Sequence, residues 1–465
     1  MIASFIICLF IFVIIGILST LKNRHSTSDY LLASYSVKPW LVGLSAAASN
    51  NSGYMFIGMI GFTYLYGISS LWLIFGWIAG DLVSSLLIHK KLRITAKARE
   101  VLSFAGAVSK WNGRSYKKLR AYLGVITVIF LVVYAAAQLN AGSKALNVLL
   151  GWDYEAGAII GAIIVLLYCF AGGIRASIWT DAAQSFVMIF AMAILCVVSI
   201  DEAGGMADFI AKVVNVSPGY TNFFPEDLAL KSSLGAFLFA VTGLILGFGV
   251  VGQPHIMTRF MAMDDPESMT RIRTYYYSYY LIFSILTFVA GISARILLPD
   301  VASFDSEVAL PTLASSILPE VLVGVILAGI FAATMSTADS QILSCTAVIT
   351  RDLTDKKPSY IFTKLATVFI TVAALLIALY GVKSVFTLVI IAWSALACTF
   401  TPLLLILILG QKPSEALSII VAVTGLASML IWQYAGLDKY VAEVAPGIFF
   451  GIAVYFLLKP MMKKT

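Results

Sequence analysis

Four residues in one apolar stretch have the types and spacing to hold a hard cation. In GVILAGIFAATMSTADSQILSCTAVITRDL, residues 324–353, Ala333, Ser336 and Thr337 stand at i, i+3 and i+4, and Ser340 follows Ser336 by four, so a helix carries them on one face. Sodium suits such neutral oxygens, because carbonyls and hydroxyls replace its hydration shell without a soft ligand. Serine and threonine in membrane helices also bond to their own backbone or to a neighbour, so the stripe needs a partner with free carbonyls. AAASNNSGYMFIG, residues 46–58, offers one, since Asn50, Asn51, Ser52 and Gly53 are poor helix formers inside an apolar run. If the Ala48 and Asn51 carbonyls face the stripe, five oxygens converge.

Three carboxylates add charge to the apolar stretches. Asp339 lies within the stripe itself, where a mid-membrane carboxylate costs about 2.5 to 3.5 kcal/mol on insertion scales and is a functional candidate by default. Asp181, in SIWTDAAQS, has two compatible readings: a cation ligand, or a helix cap paired with Gln184 three residues on. Asp81, in GWIAGDLVSS, either faces an aqueous cavity, pairs with a basic residue or neutralises a solute amine.

The elements that must position these groups are membrane helices. Apolar residues make up 60% of the 465 residues and charged ones 12%, where soluble domains average roughly half and a quarter. Successive stretches reach the roughly 20 apolar residues a bilayer crossing needs, and nothing alternates as a barrel strand would. The expected fold is therefore an all-α membrane protein with thirteen transmembrane helices, at about 2–20, 40–65, 69–89, 121–147, 156–174, 180–200, 231–253, 274–298, 319–345, 361–380, 384–409, 416–435 and 442–458. The first is expected to be a retained helix, because Lys22 and Arg24 follow its apolar run and no basic region precedes it.

A formal charge of +7 could suggest nucleic acid, but its distribution fits a membrane topology. With the amino end outside, all but six of the 31 Lys and Arg fall on inner links; the exceptions are Lys144, Lys212, Lys231, Arg295, Lys383 and Lys439. The carboxyl end is then cytoplasmic. The basic stretch from Lys90 to Arg120 is a topology anchor on this reading, and no nucleic-acid role is expected. Cys8, Cys169, Cys196, Cys345 and Cys398 lack metal spacing and read as buried apolar residues. His25, His89 and His255 are scattered near inner helix ends and receive no metal or acid-base role.

A second interruption lies in GLILGFGVVGQPH, where Gly243, Gly247, Gly249 and Gly252 lead to Pro254. The two interruptions stand five helices apart. Since five is odd, the two sets of five begin on opposite faces, the arrangement of an inverted-topology repeat with its site at the midplane. One domain, 1–465, is expected, with a first repeat over 40–200, a second over 231–409, and helix 1 and residues 416–458 peripheral. Close helix packing is the plainer explanation of the glycines.

SNNSGY with YGISSLW, then VVYAAAQLNAG, GGIRASIWTDAAQ, GQPHIMTRFMA, AATMSTADSQILSCTAVITRDL and APGIFFG occur in order along almost the whole chain. In these segments it resembles the sodium/solute symporter family, and within it the sodium/proline branch. The resemblance implies thirteen helices, an outer amino end and two inverted five-helix repeats. It also implies Ala48, Asn51 and Ala333 as sodium ligands through carbonyls and Ser336 and Thr337 through hydroxyls. Asp181 with Ser336, Asp339 and Ser340 resembles a second sodium site of some members, here with two carboxylates, so that a second sodium or a shared proton are both open. Solute contacts would come from Ser52, Gly53, Tyr134, Gln138, Leu246, Phe248, Val250 and Asp81.

The chain departs from that branch at three places. Asn50 stands where an aspartate is frequent, and Leu246 and Val250, with Phe248 between, stand where proline carriers present Trp and Tyr before GQPH. Gln138 and Asn140 add polar groups to the helix of Tyr134. The function expected is a sodium-coupled symporter of the plasma (inner) membrane that imports a small organic solute, proline or another small amino acid or zwitterion, by alternating access, with Na+ as its cofactor and no obligate protein partner. A proton-coupled symporter and a transporter-fold solute sensor are the alternatives. A membrane enzyme would need convergent catalytic groups, which three dispersed histidines and unpaired cysteines do not supply.

Overall fold

In the computed structural model, residues 1–21, 26–298, 305–354 and 359–462 are described. Lys22, Arg24 and His25 lie outside them. The described residues form helices almost throughout, with one isolated bridge between Val37 and Met263. The long elements are α1 (Ile2–Thr20), α2 (Pro39–Tyr54), α3 (Ser70–Ala98), α4 (Lys117–Leu150), α5 (Tyr154–Glu202), α6 (Ser233–Phe248) and α7 (Pro254–Met261), followed by α8 (Met269–Leu297), α9 (Glu320–Arg351), α10 (Tyr360–Tyr380), α11 (Val385–Ile408), α12 (Glu415–Tyr434) and α13 (Val444–Met462).

Local sequence explains several boundaries. Ser359, Ser384 and Ser414 each accept a bond from the amide three residues on, capping α10, α11 and α12. α2 breaks at Ser52 (φ 16°, ψ 178°) and continues through a π-helical turn, Met55–Met59, into Ile60–Tyr66. α5 spans 49 residues, which would be roughly 70 Å if straight, more than twice a hydrocarbon core. It bends at Gly173, whose φ of +58° places it in the left-handed region and whose missing Cβ makes room for the Tyr30 carbonyl.

Among the described residues, eleven helices are long and apolar enough to cross a bilayer. One of them, Pro39–Ala98, is a run of 60 residues, and Tyr154–Leu167 is a shorter apolar helix beside the eleven. The most apolar window of α9 is 83% buried and that of α1 only 22%, so α9 is a central post and α1 lies at the rim. Ile6, Phe10, Phe186 and Phe369 expose their side chains on the outside of the bundle, as lipid contact requires.

One expectation changes. The seventh stretch does not end at 253: after a short turn, Gly249–Gly252, the chain re-enters helix as α7, all of whose residues are buried. The glycines of α6 serve close packing against α3, since a Cβ on Gly247 would lie 1.9 Å from the Trp77 carbonyl.

Candidate functional site

α9 lies against the break of α2. In a regular helix the Ser49 carbonyl would take the amide of Gly53, four residues on. That amide instead donates to Gln138 Oε1 of α4 at 2.8 Å, and Thr337 Oγ1 donates to the Ser49 carbonyl at 3.0 Å. Ser336 Oγ contacts the Ala333 carbonyl at 3.1 Å and the Ala48 carbonyl at 3.4 Å. Thus Ala48, Ala333, Ser336 and Thr337 come together, all of them fully buried. A further α2 carbonyl at the stripe is that of Ser49, and both side-chain polar atoms of Asn51 are buried without a partner. Ser52 Oγ caps the Tyr54 amide beyond the break at 3.1 Å.

The carboxylates Asp181 and Asp339 also meet, with an unexpected third member. Arg259 of α7 is fully buried, and its Nη2 donates to Ser177 Oγ at 2.5 Å and to Ser340 Oγ, 3.4 Å from Asp181 Oδ2 and 3.7 Å from Asp339 Oδ1. Asp339 accepts from Ser177 at 2.9 Å and from Ser340 at 3.1 Å, and Asp181 from Ser45 of α2 at 2.6 Å. Asp181 therefore caps nothing: the second limb of α5 begins at the Gly173 bend, eight residues earlier. The charge distribution along the sequence puts Arg259 on an inner link. The signal that could have exposed it is charge balance, because two intramembrane carboxylates call for a cation nearby.

The solute candidates divide. Tyr134, Gln138, Ser52 and Gly53 surround the break, with the His255 ring edge-on to Tyr134 at 5.4 Å. The Leu246 carbonyl accepts from Trp393 Nε1 at 3.4 Å, and Val250 is buried. Phe248 is turned the other way and lines a groove on the outside of the bundle with Val83 and Phe449, so its side chain does not face the break. Asn140 bonds to the Val382 carbonyl at 3.0 Å near the chain's other end of α4.

Asp81 is fully buried and joined to the break by Tyr276 of α8. Beside it a cavity of about 20 Å³ is lined by Asn50, Tyr54, Met55, Met59, Leu73, Ile74, Trp77, Tyr280 and Ser284. Two larger depressions lie at opposite ends of the bundle. One, of about 520 Å³, is bordered by Phe62, Lys144, Glu307 and Phe386, and the other, of about 560 Å³, by Val37, Trp40, Arg175 and Trp179. No residue of the small cavity lines either depression, and the Tyr54 and Phe386 rings, 5.6 Å apart, stand between it and the first. The five cysteines are unpaired, and among the described residues no group of His, Cys, Asp and Glu could hold a metal in the usual way.

Comparison with known proteins gives consistent relatives. The high-affinity proline transporter PutP of Bacillus subtilis is 28% identical over 440 residues, 92% of this chain and 91% of that one. The sodium/proline symporter of Escherichia coli is 27% identical over 480 residues, covering 98% and 93%. Among solved structures, a Na+-coupled sialic acid symporter in a substrate-bound outward-open state superposes with a TM-score of 0.83 at 16% identity, covering 99% of this chain and 97% of that one. Mhp1, a nucleobase-cation-symport-1 family transporter, gives 0.58 at 16% identity, covering 94% and 96%; these two likenesses speak to fold. The description of the sodium:solute symporter family matches residues 30–425, and the chain belongs to that family.

Proposed function

We propose that the chain is a sodium-coupled symporter that imports a small amino acid or related zwitterion across the plasma membrane by alternating access. The observation that carries this is the junction of α2 and α9, where the Thr337 hydroxyl meets the Ser49 carbonyl, whose regular partner, the Gly53 amide, bonds to Gln138 instead, and the Ser336 hydroxyl meets the Ala48 carbonyl. The oxygens of Ala48, Ala333, Ser336 and Thr337, with Asn51 beside them, form the main sodium site. A cation there replaces weak interhelical bonds with stronger ion–dipole contacts and holds α2 to α9. The names of the relatives from Bacillus and Escherichia support proline as one candidate solute.

In this reading Pro39–Ala98 crosses twice and Tyr154–Leu167 once more, giving thirteen crossings with the amino end outside. The breaks of α2 and of α6 and α7 then open two inverted repeats, 40–200 and 231–409, while α1, α12 and α13 are peripheral. Asp181, Asp339 and Ser340 form the second cation site. One buried guanidinium faces two carboxyls there, so a second positive charge, sodium or proton, would balance them.

One sodium moving down about 100 mV contributes roughly 2.3 kcal/mol, and a tenfold sodium gradient about 1.4 more. Their sum sustains about 500-fold accumulation of a neutral solute at one-to-one coupling. The test is uptake of labelled amino acids into proteoliposomes with and without an inward sodium gradient, repeated in sodium-free buffer at several pH values. Accumulation that needs sodium supports the reading, and accumulation driven by a proton gradient alone replaces it with proton coupling.

A further inference from the structure

Asp81 is used by neither cation arrangement, yet it is tied to the break by two short hydrogen bonds. Tyr276 donates its hydroxyl proton to Asp81 Oδ2 at 2.6 Å, and Asn50 Nδ2 donates to the same phenolic oxygen at 2.6 Å. A phenol has one proton. With that proton committed to Asp81, the Tyr276 oxygen can only accept, so the Asn50 amide must turn its NH2 end toward it. Flipped, the amide would set oxygen against oxygen.

The opposite end of the amide is thereby fixed. Asn50 Oδ1 is buried without a partner, on a residue that lines the 20 Å³ cavity. Three more side chains of that lining, Tyr54, Trp77 and Ser284, are at least nine-tenths buried and have an unpartnered hydroxyl, an unpartnered Nε1–H and an unpartnered hydroxyl respectively. The cavity wall thus offers one acceptor-only oxygen, on Asn50, with the Tyr54 and Ser284 hydroxyls and the Trp77 N–H as donors, among apolar and aromatic side chains. A buried polar site of this kind discriminates steeply against a solute that leaves its groups unpaired.

We propose that Asp81 is the specificity-determining residue of the solute site, acting through Tyr276 to present Asn50 Oδ1 to a protonated amine. The solute class is a zwitterion with at least one N–H: the ammonium donates to Asn50 Oδ1, and the carboxylate accepts from Tyr54 and Trp77. The carboxylate at Asp81 polarises the chain, so each bond strengthens the next. Trp77 and Tyr54, whose rings lie 6.0 Å apart, also supply the aromatic packing that Leu246 and Val250 do not. As it stands the cavity has room for about one water, so solute entry requires α2, α3 and α8 to part around it. This inference rests on the transport reading above and goes beyond it in naming the chemistry selected.

The experiment uses the whole chain in proteoliposomes under an inward sodium gradient, with L-alanine and L-proline as N–H-bearing probes and L-lactate and N,N-dimethylproline as probes without N–H. The expected result is preference for the first pair. Asp81→Asn and Tyr276→Phe should each raise KM for that pair about tenfold with little change in maximal rate, shrink the preference and leave the sodium half-saturation point unmoved. The double variant should be no worse than the poorer single one, because both remove the same relay. A merely structural role would lower uptake of every probe alike. Uptake of lactate as readily as alanine, or an unchanged preference in both single variants, overturns the proposal. Binding of the same probes, read from tryptophan fluorescence, separates the two readings: selective binding of the N–H probes without sodium-driven accumulation defeats the transport reading and supports this one, and unselective binding defeats this one.

Discussion

Thr337 and Ser49 share a hydrogen bond of 3.0 Å that joins α9 to the backbone of α2 where the latter ceases to be a regular helix. The hydroxyl meets a carbonyl whose own helical partner, the Gly53 amide, has been drawn off by Gln138. That exchange creates the oxygen-rich junction on which sodium coupling is proposed.

Ser336→Ala and Thr337→Ala each remove one hydroxyl from the junction at little cost in helix propensity. A hydrogen bond or ion contact of about 1 kcal/mol corresponds to roughly fivefold in an equilibrium constant. Each variant should therefore raise the sodium concentration for half-maximal uptake by about that factor, with Thr337→Ser close to native. Unchanged sodium dependence in both alanine variants would remove these residues from the site.

Arg259→Gln should be the most damaging single change in the second cluster. It leaves Asp181 and Asp339 buried together without their cation, and breaking a buried ion pair costs about 3 to 5 kcal/mol. Arg259→Gln with Asp339→Asn should recover thermal stability relative to Arg259→Gln alone, as the second change removes the uncompensated charge. Asp339→Asn and Asp181→Asn should combine less than additively, since both carboxyls face one guanidinium. Melting curves of purified protein in detergent decide both points; no recovery in the first double variant would mean that Arg259 is held for another reason.

Glu307 links three segments at one end of the bundle. It pairs with Lys144 of α4 at 2.6 Å and accepts from the Val385 and Phe386 amides at the start of α11, at 3.1 and 2.8 Å. Glu307→Ala should cost about 1 to 2 kcal/mol through the lost cap and ion pair, and raise hydrogen exchange in 305–317 before the core. An unchanged exchange pattern would show that this end is held by other contacts.

Asp305, in the same cluster but outside the membrane segments, supplies a pH test. Burial works against its charge, but bonds from Lys144 and the Glu307 amide hold its carboxyl below the ordinary value of 3.8. A depressed folded value means that its contribution is present above the ordinary value and is lost as pH falls through the lower one. The melting difference between native protein and Asp305→Asn should hold at neutral pH and shrink only below about pH 4. A difference that vanished between about pH 7 and 5 would contradict the assignment.

The sequence by itself determined the class of fold, the break at 50–53 and the hydroxyl-bearing stripe of 333–340. Each depends on short-range chemistry: apolar runs long enough for a bilayer, poor helix formers inside one of them, and a 3.6-residue period that sets hydroxyls on one face. Tertiary structure decided which distant groups complete them. The Ser49 carbonyl can meet Thr337 because Gln138, on a distant segment of the chain, takes the Gly53 amide. Phe248 faces outward because its helix packs its glycines, not its aromatic, against α3. Arg259 and Tyr276 enter the candidate sites from two further segments, and no local pattern marks them. Their burial becomes tolerable only where the fold brings opposite charges and hydrogen-bond partners within about 3 to 4 Å, and that pairing is a property of the packed bundle.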